Sequence, residues 1–517
     1  MRKQNKKEIH HYPISTSKLK TENNSFGLLK TGVFLLLILI QMILLVLSYL
    51  TIISAFKQFL TITMIISVLT CIYILSSNKN THSKAVWILF VMLNYSFGYL
   101  FYFASHEKIL FRNFKKRYNK IFEGTKQHNL DNLATNNQIC NLLYETEKLN
   151  TYKNNHIIFY NNGEAYFNAI MEEIKKAQKF IFLEFYIISN GKLWKDIINI
   201  LEQKVKEGVE VRIIYDSFGS HKCFPRKQKK HLRKIGIKLN SFNKFVPKFS
   251  IIMNFRNHRK IAVIDGKCAF TGGANIGDEY INIKSPHGYW KDAGVKIEGS
   301  ATYSFLLMFL RQWSFVTKSE EDYSIYLNQV PKAPNGSSLI TPYADGVTQS
   351  SDVVKNLFSS IISNAKEKLY ISTPYFIPDN TLFDELKTKA LAGVDVRILL
   401  PDIPDKKMVY IVSINNAEKL MQYGVKVYCL KKSFVHSKIV ANENEFTIGT
   451  ANFDLRSIYQ QFECGIYSNC SETNNQILND FDNCFKNSNQ ITLKNMKRNR
   501  LPFRIASGIL QIISPFM

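Results

Sequence analysis

The stretch that decides the fold is RNHRKIAVIDGKCAFTGGANIGDEY, Arg256–Tyr280, because a second version of it follows as HSKIVANENEFTIGTANFDLRS, His436–Ser457. Each version opens on His-x-Lys, runs through apolar residues, and closes on Gly followed by Asn. The first supplies His258, Lys260, Asp265, Gly272, Gly273 and Asn275; the second supplies His436, Lys438, Gly449, Thr450 and Asn452. Apolar residues between Lys and Gly predict a β-hairpin, and residues two apart in a strand share a face. His258 with Lys260, and His436 with Lys438, therefore present an imidazole beside an ammonium group: a phosphate site with a reactive group in it.

The repeat extends upstream. FIFLEFYII (Phe180–Ile188), a helical segment and GVEVRIIYD (Gly208–Asp216) precede the first hairpin; LYISTPYFIPD (Leu369–Asp379), a helical segment and GVDVRILLPD (Gly393–Asp402) precede the second. Strand, helix, strand in the same order twice is the pattern of a duplicated α/β region. It divides into a first half over 151–335 and a second over 336–490, each with its His-Lys motif.

Two halves paired about a pseudo-twofold axis would bring two imidazoles and two lysines to one cleft, which is the inventory for phosphodiester exchange. One neutral imidazole attacks phosphorus and forms a phosphohistidine. The other, protonated, donates to the leaving alkoxide and later takes a proton from the incoming hydroxyl. The lysines and the amides of Asn275 and Asn452 would meet the equatorial phosphoryl oxygens. No cofactor is called for, and no metal-ligand cluster stands out. The eight cysteines are scattered without a CxxC pair and read as reduced thiols.

Length and charge fit this scheme. A chain of 517 residues holds more than one module, and 67 Lys and Arg against 41 Asp and Glu leave a formal charge of +26, so the partner is anionic: nucleic acid or an acidic lipid surface. No acid occurs from Ser217 to Ile264, while Lys222, Arg226, Lys227, Lys229, Lys230, Arg233, Lys234, Lys238, Lys244, Lys248, Arg256 and Arg259 do. Interspersed with Phe242, Phe245, Val246, Phe249 and Ile252, they read as a site for headgroups beside acyl chains. A solvated basic face is the plainer alternative.

The N-terminal part points to a bilayer. A basic segment (1–30) precedes a region (31–106) of two or three transmembrane helices: Val33–Phe56, a shorter stretch Phe59–Leu75, and Ala85–Ala104 with Trp87, Tyr99 and Tyr102 as interfacial aromatics. Repeated apolar stretches argue for permanent anchoring rather than a cleaved signal. Basic residues lie before the first stretch and again over Lys108–Lys120, in a basic linker (107–150). The positive-inside rule then places both in the cytoplasm, which requires an even number of crossings. A multi-pass protein of the cell membrane with a cytoplasmic catalytic region is expected, closing on an apolar tail (491–517).

H-x-K-x4-D followed by G-G/S/T-x-N, present twice, resembles the phospholipase D superfamily. The wider strings, YWKDAGVKIEG (Tyr289–Gly299), STPYFIPD (Ser372–Asp379) and GTANFDLRS (Gly449–Ser457) included, look specifically like bacterial cardiolipin synthases. The resemblance implies two phospholipase D-like α/β-sandwich halves. It also implies transfer of a phosphatidyl group between two phosphatidylglycerol molecules, giving cardiolipin and glycerol, with anionic phospholipid and membrane as partners and no nucleic acid. It makes His258 the nucleophile and His436 the general acid/base, and gives Asp292 and Glu463 as carboxylates that hydrogen-bond the histidines. One departure stands out: Glu443 holds the place of the second motif aspartate, and the second hairpin is one residue shorter. Hydrolysis by a phospholipase D or nuclease, transfer to phosphatidylethanolamine, phosphatidylserine synthesis, and an inactive lipid-binding copy are the competing readings.

Overall fold

The computed structural model describes residues 36–47, 54–77, 81–105, 108–125, 128, 135–153, 155–244, 254–331, 338–349, 351–492, 508, 510 and 511. The basic segment 1–30, most of the tail after 492, and Phe245, Val246, Lys248, Phe249 and Ile252 lie outside them. The chain divides into two compact units, Met1–Phe103 and Ala104–Met517.

Among the described residues of the first unit one helix, Lys57–Ser76 within Ser54–Ser76, is long and apolar enough to cross a membrane. Its burial runs inside out: Thr63, Ser67, Thr70 and Ile74 are buried, whereas Ile62, Met64, Ile65, Val68, Leu69 and Ile72 are exposed. The buried spacing of four, three and four is one helix face, and small polar residues inward with apolar ones outward is how helices pack in lipid. Ser67 Oγ donates to the Tyr95 carbonyl at 2.8 Å. The helix passes through Lys57 and Gln58 without a break, so the boundary expected between the first and second apolar stretches is not there. Of the first stretch, Leu36–Leu47 is helical and the remainder up to 53 lies outside the described residues. The third stretch is not one helix. A turn at 94–97 separates Thr81–Leu93 from Gly98–Ser105. Trp87 and Tyr102 then meet edge to face at 5.2 Å, and Tyr102 is buried, so these rings pack on each other instead of marking the ends of a span.

The second unit holds two sheets with the same topology. The first runs His156–Tyr160, Gly294–Glu298, Cys268–Gly272, Lys260–Ile264, Phe180–Phe185, Glu210–Asp216, Lys238–Phe242. The second runs Leu339–Asp345, Gln461–Ser468, Phe446–Gly449, Ile439–Asn442, Lys368–Ser372, Asp395–Pro401, Lys426–Leu430, strand for strand in the same order. In both, the hairpin is antiparallel to the strand beside it and the next two strands are parallel, joined by helices (Lys192–Lys206; Asn380–Leu391). This is the α/β duplication expected from the repeat. The second sheet carries extra edges: Tyr152–Lys153 pairs with Leu339–Asp345, and Ser488–Ile491 with Lys426–Leu430.

A shared core joins the halves. Val295, Ile297, Ile261 and Val263 of the first sheet cluster with Ile439, Ile448, Cys464 and Ile466 of the second, around the mostly apolar, largely buried helix Thr302–Thr317. Helix Lys108–Gly124 packs on that helix through Phe114, Tyr118 and Ile121, and Arg117 donates to the Phe315 carbonyl at 2.7 Å.

Candidate active site

Two very short strands deliver the histidines, and each pairs with the other half. Arg256–Asn257 runs parallel to Gln461–Phe462, and the His258 amide donates to the Phe462 carbonyl at 2.9 Å. Ser433–Val435 runs parallel to Tyr289–Lys291, and the His436 amide donates to the Lys291 carbonyl at 2.7 Å. The residue after each paired stretch is the carboxylate. His258 Nδ1 consequently lies 3.0 Å from both carboxylate oxygens of Glu463, and His436 Nδ1 lies 2.7 Å from Asp292 Oδ2. Each imidazole takes its carboxylate from the opposite half. With Nδ1–H donating to the carboxylate, Nε2 is left as the working nitrogen.

Both histidines are nine-tenths buried, and Asp292 and Glu463 are fully buried. Burial, reinforced by Lys260, Lys438, Arg456 and Lys406, lowers His258 well below its ordinary range. Burial and Lys438 take His436 down to about 3 against the pull of Asp292. Burial also works to raise Asp292, but His436, Lys438 and the Ala293 amide outweigh it and hold the carboxyl low. Glu463 goes the other way, raised by burial to about 7 despite Lys260. The lysines are buried too, which lowers Lys260 to about 8 and Lys438 to about 7. Lys260 Nζ donates to the His258 carbonyl at 2.8 Å, and Lys438 Nζ makes the same bond to the His436 carbonyl. Burial thus favours neutral imidazoles, and an anionic phosphodiester would draw the lysines, and His436 with Asp292 behind it, towards their charged forms.

The residue two before each motif asparagine sets the space beside the carboxylate. A Cβ on Gly273 would stand 2.1 Å from Asp292 Oδ1 and 2.8 Å from the His436 carbonyl oxygen, so no side chain fits. At the corresponding position Thr450 fits, and its hydroxyl donates to Glu463. The asparagines differ as well. Asn275 is engaged at both ends, accepting from the Ile187 amide at 3.0 Å and donating one N–H to Tyr280 Oη at 2.9 Å. Asn452 donates to Asp454 Oδ2 at 3.2 Å, while its Oδ1 is buried without a hydrogen-bond partner.

The structure does not bring Asp265 and Glu443 to the histidines. Asp265 opens the three-residue turn Asp265–Lys267 at the far end of the first hairpin and accepts from the amides of Gln178, Lys179 and Phe180 at 2.8, 2.8 and 2.9 Å. Glu443 opens a two-residue turn, closed by the Asn442 amide on the Glu445 carbonyl, and accepts from Lys366, Glu367 and Lys368 at 2.9, 3.4 and 3.3 Å. The missing residue is thus lost from the turn, and the extra methylene of Glu lets the carboxylate reach the same three amides. At about 3.3 Å per strand residue, five residues put Asp265 roughly 16 Å from Lys260.

Arg256 and Arg259, counted in the basic headgroup face from sequence, are buried. Arg256 lies 3.7 Å from Asp216 and donates to the Asn243 carbonyl, and Arg259 donates to the Glu463 carbonyl at 3.3 Å. The helix Arg226–Lys234 does keep an exposed basic face. Sequence reasoning missed the rings around the imidazoles. Tyr186 stands 5.1 Å from His258, and Trp290 and Tyr280 stand 5.1 and 5.5 Å from His436. Their only signal was position, Trp290 two residues before Asp292 and Tyr280 closing the first motif string.

The family described as "Cardiolipin synthase, PLD-like domain" matches residues 170–285 and 358–485, one match per half. An uncharacterized protein of Streptococcus mutans is 35% identical, over 86% of this chain and 99% of its own length. A cardiolipin synthase of Clostridium perfringens is 33% identical over 85% and 95%, and one of Geobacillus thermodenitrificans 36% over 69% and 71%. Among solved structures, a phosphatidylserine synthase of Haemophilus influenzae covers 74% of this chain and 98% of its own, at a TM-score of 0.57 and 14% identity, a likeness of fold. A duplicated sheet, a histidine motif in each copy and relatives matched over 71 to 99% of their length agree: the chain belongs to the cardiolipin synthase family of phospholipase D-like proteins.

Proposed function

We propose that the protein transfers a phosphatidyl group from one phosphatidylglycerol to the glycerol hydroxyl of a second, giving cardiolipin and free glycerol. The observation that carries this reading is the crosswise pairing of each buried histidine with a carboxylate of the other half, beside two buried lysines. His258 Nε2 attacks phosphorus, and the P–O bond to the headgroup glycerol breaks as His436, in its protonated form, donates to the departing oxygen. The second lipid's hydroxyl then attacks the phosphohistidine. Its proton passes to His436, the P–N bond breaks and His258 returns. Lys260, Lys438 and the free N–H of each asparagine amide meet the charge on the equatorial oxygens. Asp292 supports the imidazolium of His436, and Glu463 fixes the tautomer of His258. Asp265 and Glu443 act structurally, tying each hairpin turn to the strand beside it.

The helix Lys57–Ser76 is read as crossing a bilayer, supported by its inside-out burial. We read the chain as a multi-pass protein of the cell membrane, its catalytic region on the cytoplasmic side and anionic phospholipid as its partner, on the basic residues that precede the first apolar stretch and follow the third over Lys108–Lys120. The test is product analysis. Purified protein given phosphatidylglycerol labelled in its glycerol headgroup should release one glycerol per cardiolipin, whereas phosphatidic acid in place of cardiolipin would make it a hydrolase.

A further inference from the structure

The two transfer steps share a geometric constraint. The alcohol that leaves in the first step and the alcohol that attacks in the second are the same chemical fragment, a glycerol headgroup, and microscopic reversibility puts both on the same side of phosphorus. One subsite for a diol serves both. A diol is rich in hydroxyl donors, so its subsite needs acceptors that the protein leaves unused.

Two such acceptors are carried by segments linked to one another and to the strand that delivers His436. Tyr375 Oη donates to Asp405 Oδ2 at 2.6 Å, while Asp405 Oδ1 is buried with no hydrogen-bond partner. The backbone that carries Tyr375 is stitched to the backbone that carries Asn452, for Ile377 bridges to Asp454 and the Phe453 amide donates to Thr373 Oγ1 at 3.1 Å. Asn452 is nine-tenths buried, and its bond to Asp454 commits the nitrogen end, leaving Oδ1 as the second unused acceptor. That oxygen cannot bond a phosphoryl oxygen, since both are acceptors. The Tyr280 ring stands 5.5 Å from His436, and the segment leading to Asp405 is bonded to the strand that delivers His436, the Asp402 and Ile403 amides donating to the Ser433 carbonyl at 3.0 and 3.1 Å. The first half offers no matching acceptor at Asn275, whose oxygen is taken by the Ile187 amide.

We propose that Asp405 Oδ1 and Asn452 Oδ1 form a diol-binding subsite for the glycerol headgroup, held by Tyr375 and used in turn by the leaving and the attacking glycerol. The inference rests on the transfer reading above. In the second step one hydroxyl of the bound diol attacks phosphorus and gives its proton to His436, while the other is held by these acceptors. Free glycerol then competes with the second lipid for the same place.

The experiment uses the full chain in detergent with labelled phosphatidylglycerol as donor, adding glycerol labelled with a second isotope or 1-propanol as acceptor. The readout is the ratio of glycerol exchange into phosphatidylglycerol to phosphatidylpropanol formed. In Asp405→Asn the amide oxygen still accepts from Tyr375, but a donor replaces the unused acceptor at unchanged shape, and the ratio should fall at least tenfold. Asp405→Ser, which simply removes the acceptor, should lower the ratio in the same direction. An unchanged ratio, or both products falling together in both variants, overturns the subsite while leaving transfer intact. Wild-type protein that forms neither product overturns the transfer reading and the subsite with it.

Discussion

Replacing Gly273 by alanine adds one methyl group, and the structure predicts a loss far larger than that change suggests. The new Cβ would sit 2.1 Å from Asp292 Oδ1 and 2.8 Å from the His436 carbonyl oxygen. Carbon–oxygen contacts settle near 3.3 Å, so the carboxylate must retreat by about 1.2 Å. The bond it shares with His436 Nδ1 is 2.7 Å long and does not survive that displacement. A misplacement of about 1 Å in a catalytic group costs on the order of 100-fold in rate, and overpacking costs about 1–3 kcal/mol of stability. Thr450→Ala is the matched control. The position already accommodates a Cβ, and what is lost is a hydroxyl that donates to Glu463 and accepts from the Cys464 amide at 2.9 Å, for about 1–2 kcal/mol or roughly tenfold in rate. Cardiolipin formation from labelled phosphatidylglycerol in detergent, measured below the unfolding midpoint of each variant, reads both effects. Gly273→Ala turning over within about threefold of wild type would refute the reasoning.

Asp265→Ala removes the acceptor of three backbone amides, so it should cost about 2–4 kcal/mol in thermal or urea unfolding, with turnover of the folded protein within a few-fold of wild type; a folded but inactive variant would return Asp265 to the catalytic set. Asp345, fully buried and bonded to the Gly346 and Val354 amides, is pushed up to about 8 by burial. The folded carboxyl keeps a proton that the unfolded chain gives up above about pH 3.9, so the stability this proton confers falls as pH rises from there towards 8. Wild type should therefore lose stability relative to Asp345→Asn across that window, and parallel stability curves would contradict the assignment. Ser67→Leu puts a larger apolar side chain on the buried stripe of Ser54–Ser76 and removes the bond to the Tyr95 carbonyl. It should lower the unfolding midpoint of the detergent-solubilised chain, whereas Leu69→Val on the exposed face should not.

Much of this was legible in the chain before any coordinates. The duplication showed because each half repeats its strand, helix, strand and hairpin, whose periods of two and 3.6 are local properties. The His258–Lys260 and His436–Lys438 sets were visible for the same reason. What was hidden is non-local. Arg256–Asn257 and Ser433–Val435 are two and three residues long, too short for any periodicity, yet they pair the halves and decide which carboxylate meets which histidine. Arg256 and Arg259 read as surface charge because burial beside Asp216 and Glu463 depends on segments far away in sequence. Hydropathy overstated continuity in the first unit, since the apolar residues on either side of Asn94–Phe97 hide a short polar break that forms a turn.

The central claim, a phosphatidyl group carried on His258 and released through His436, is tested most directly by trapping that intermediate. Wild-type protein, given phosphatidylglycerol labelled at phosphorus and quenched in alkali within its first turnover, should hold label in an acid-labile, base-stable bond that maps to His258, and His258→Ala should hold none. Label found on His436 instead, or turnover that survives in His258→Ala, would contradict it.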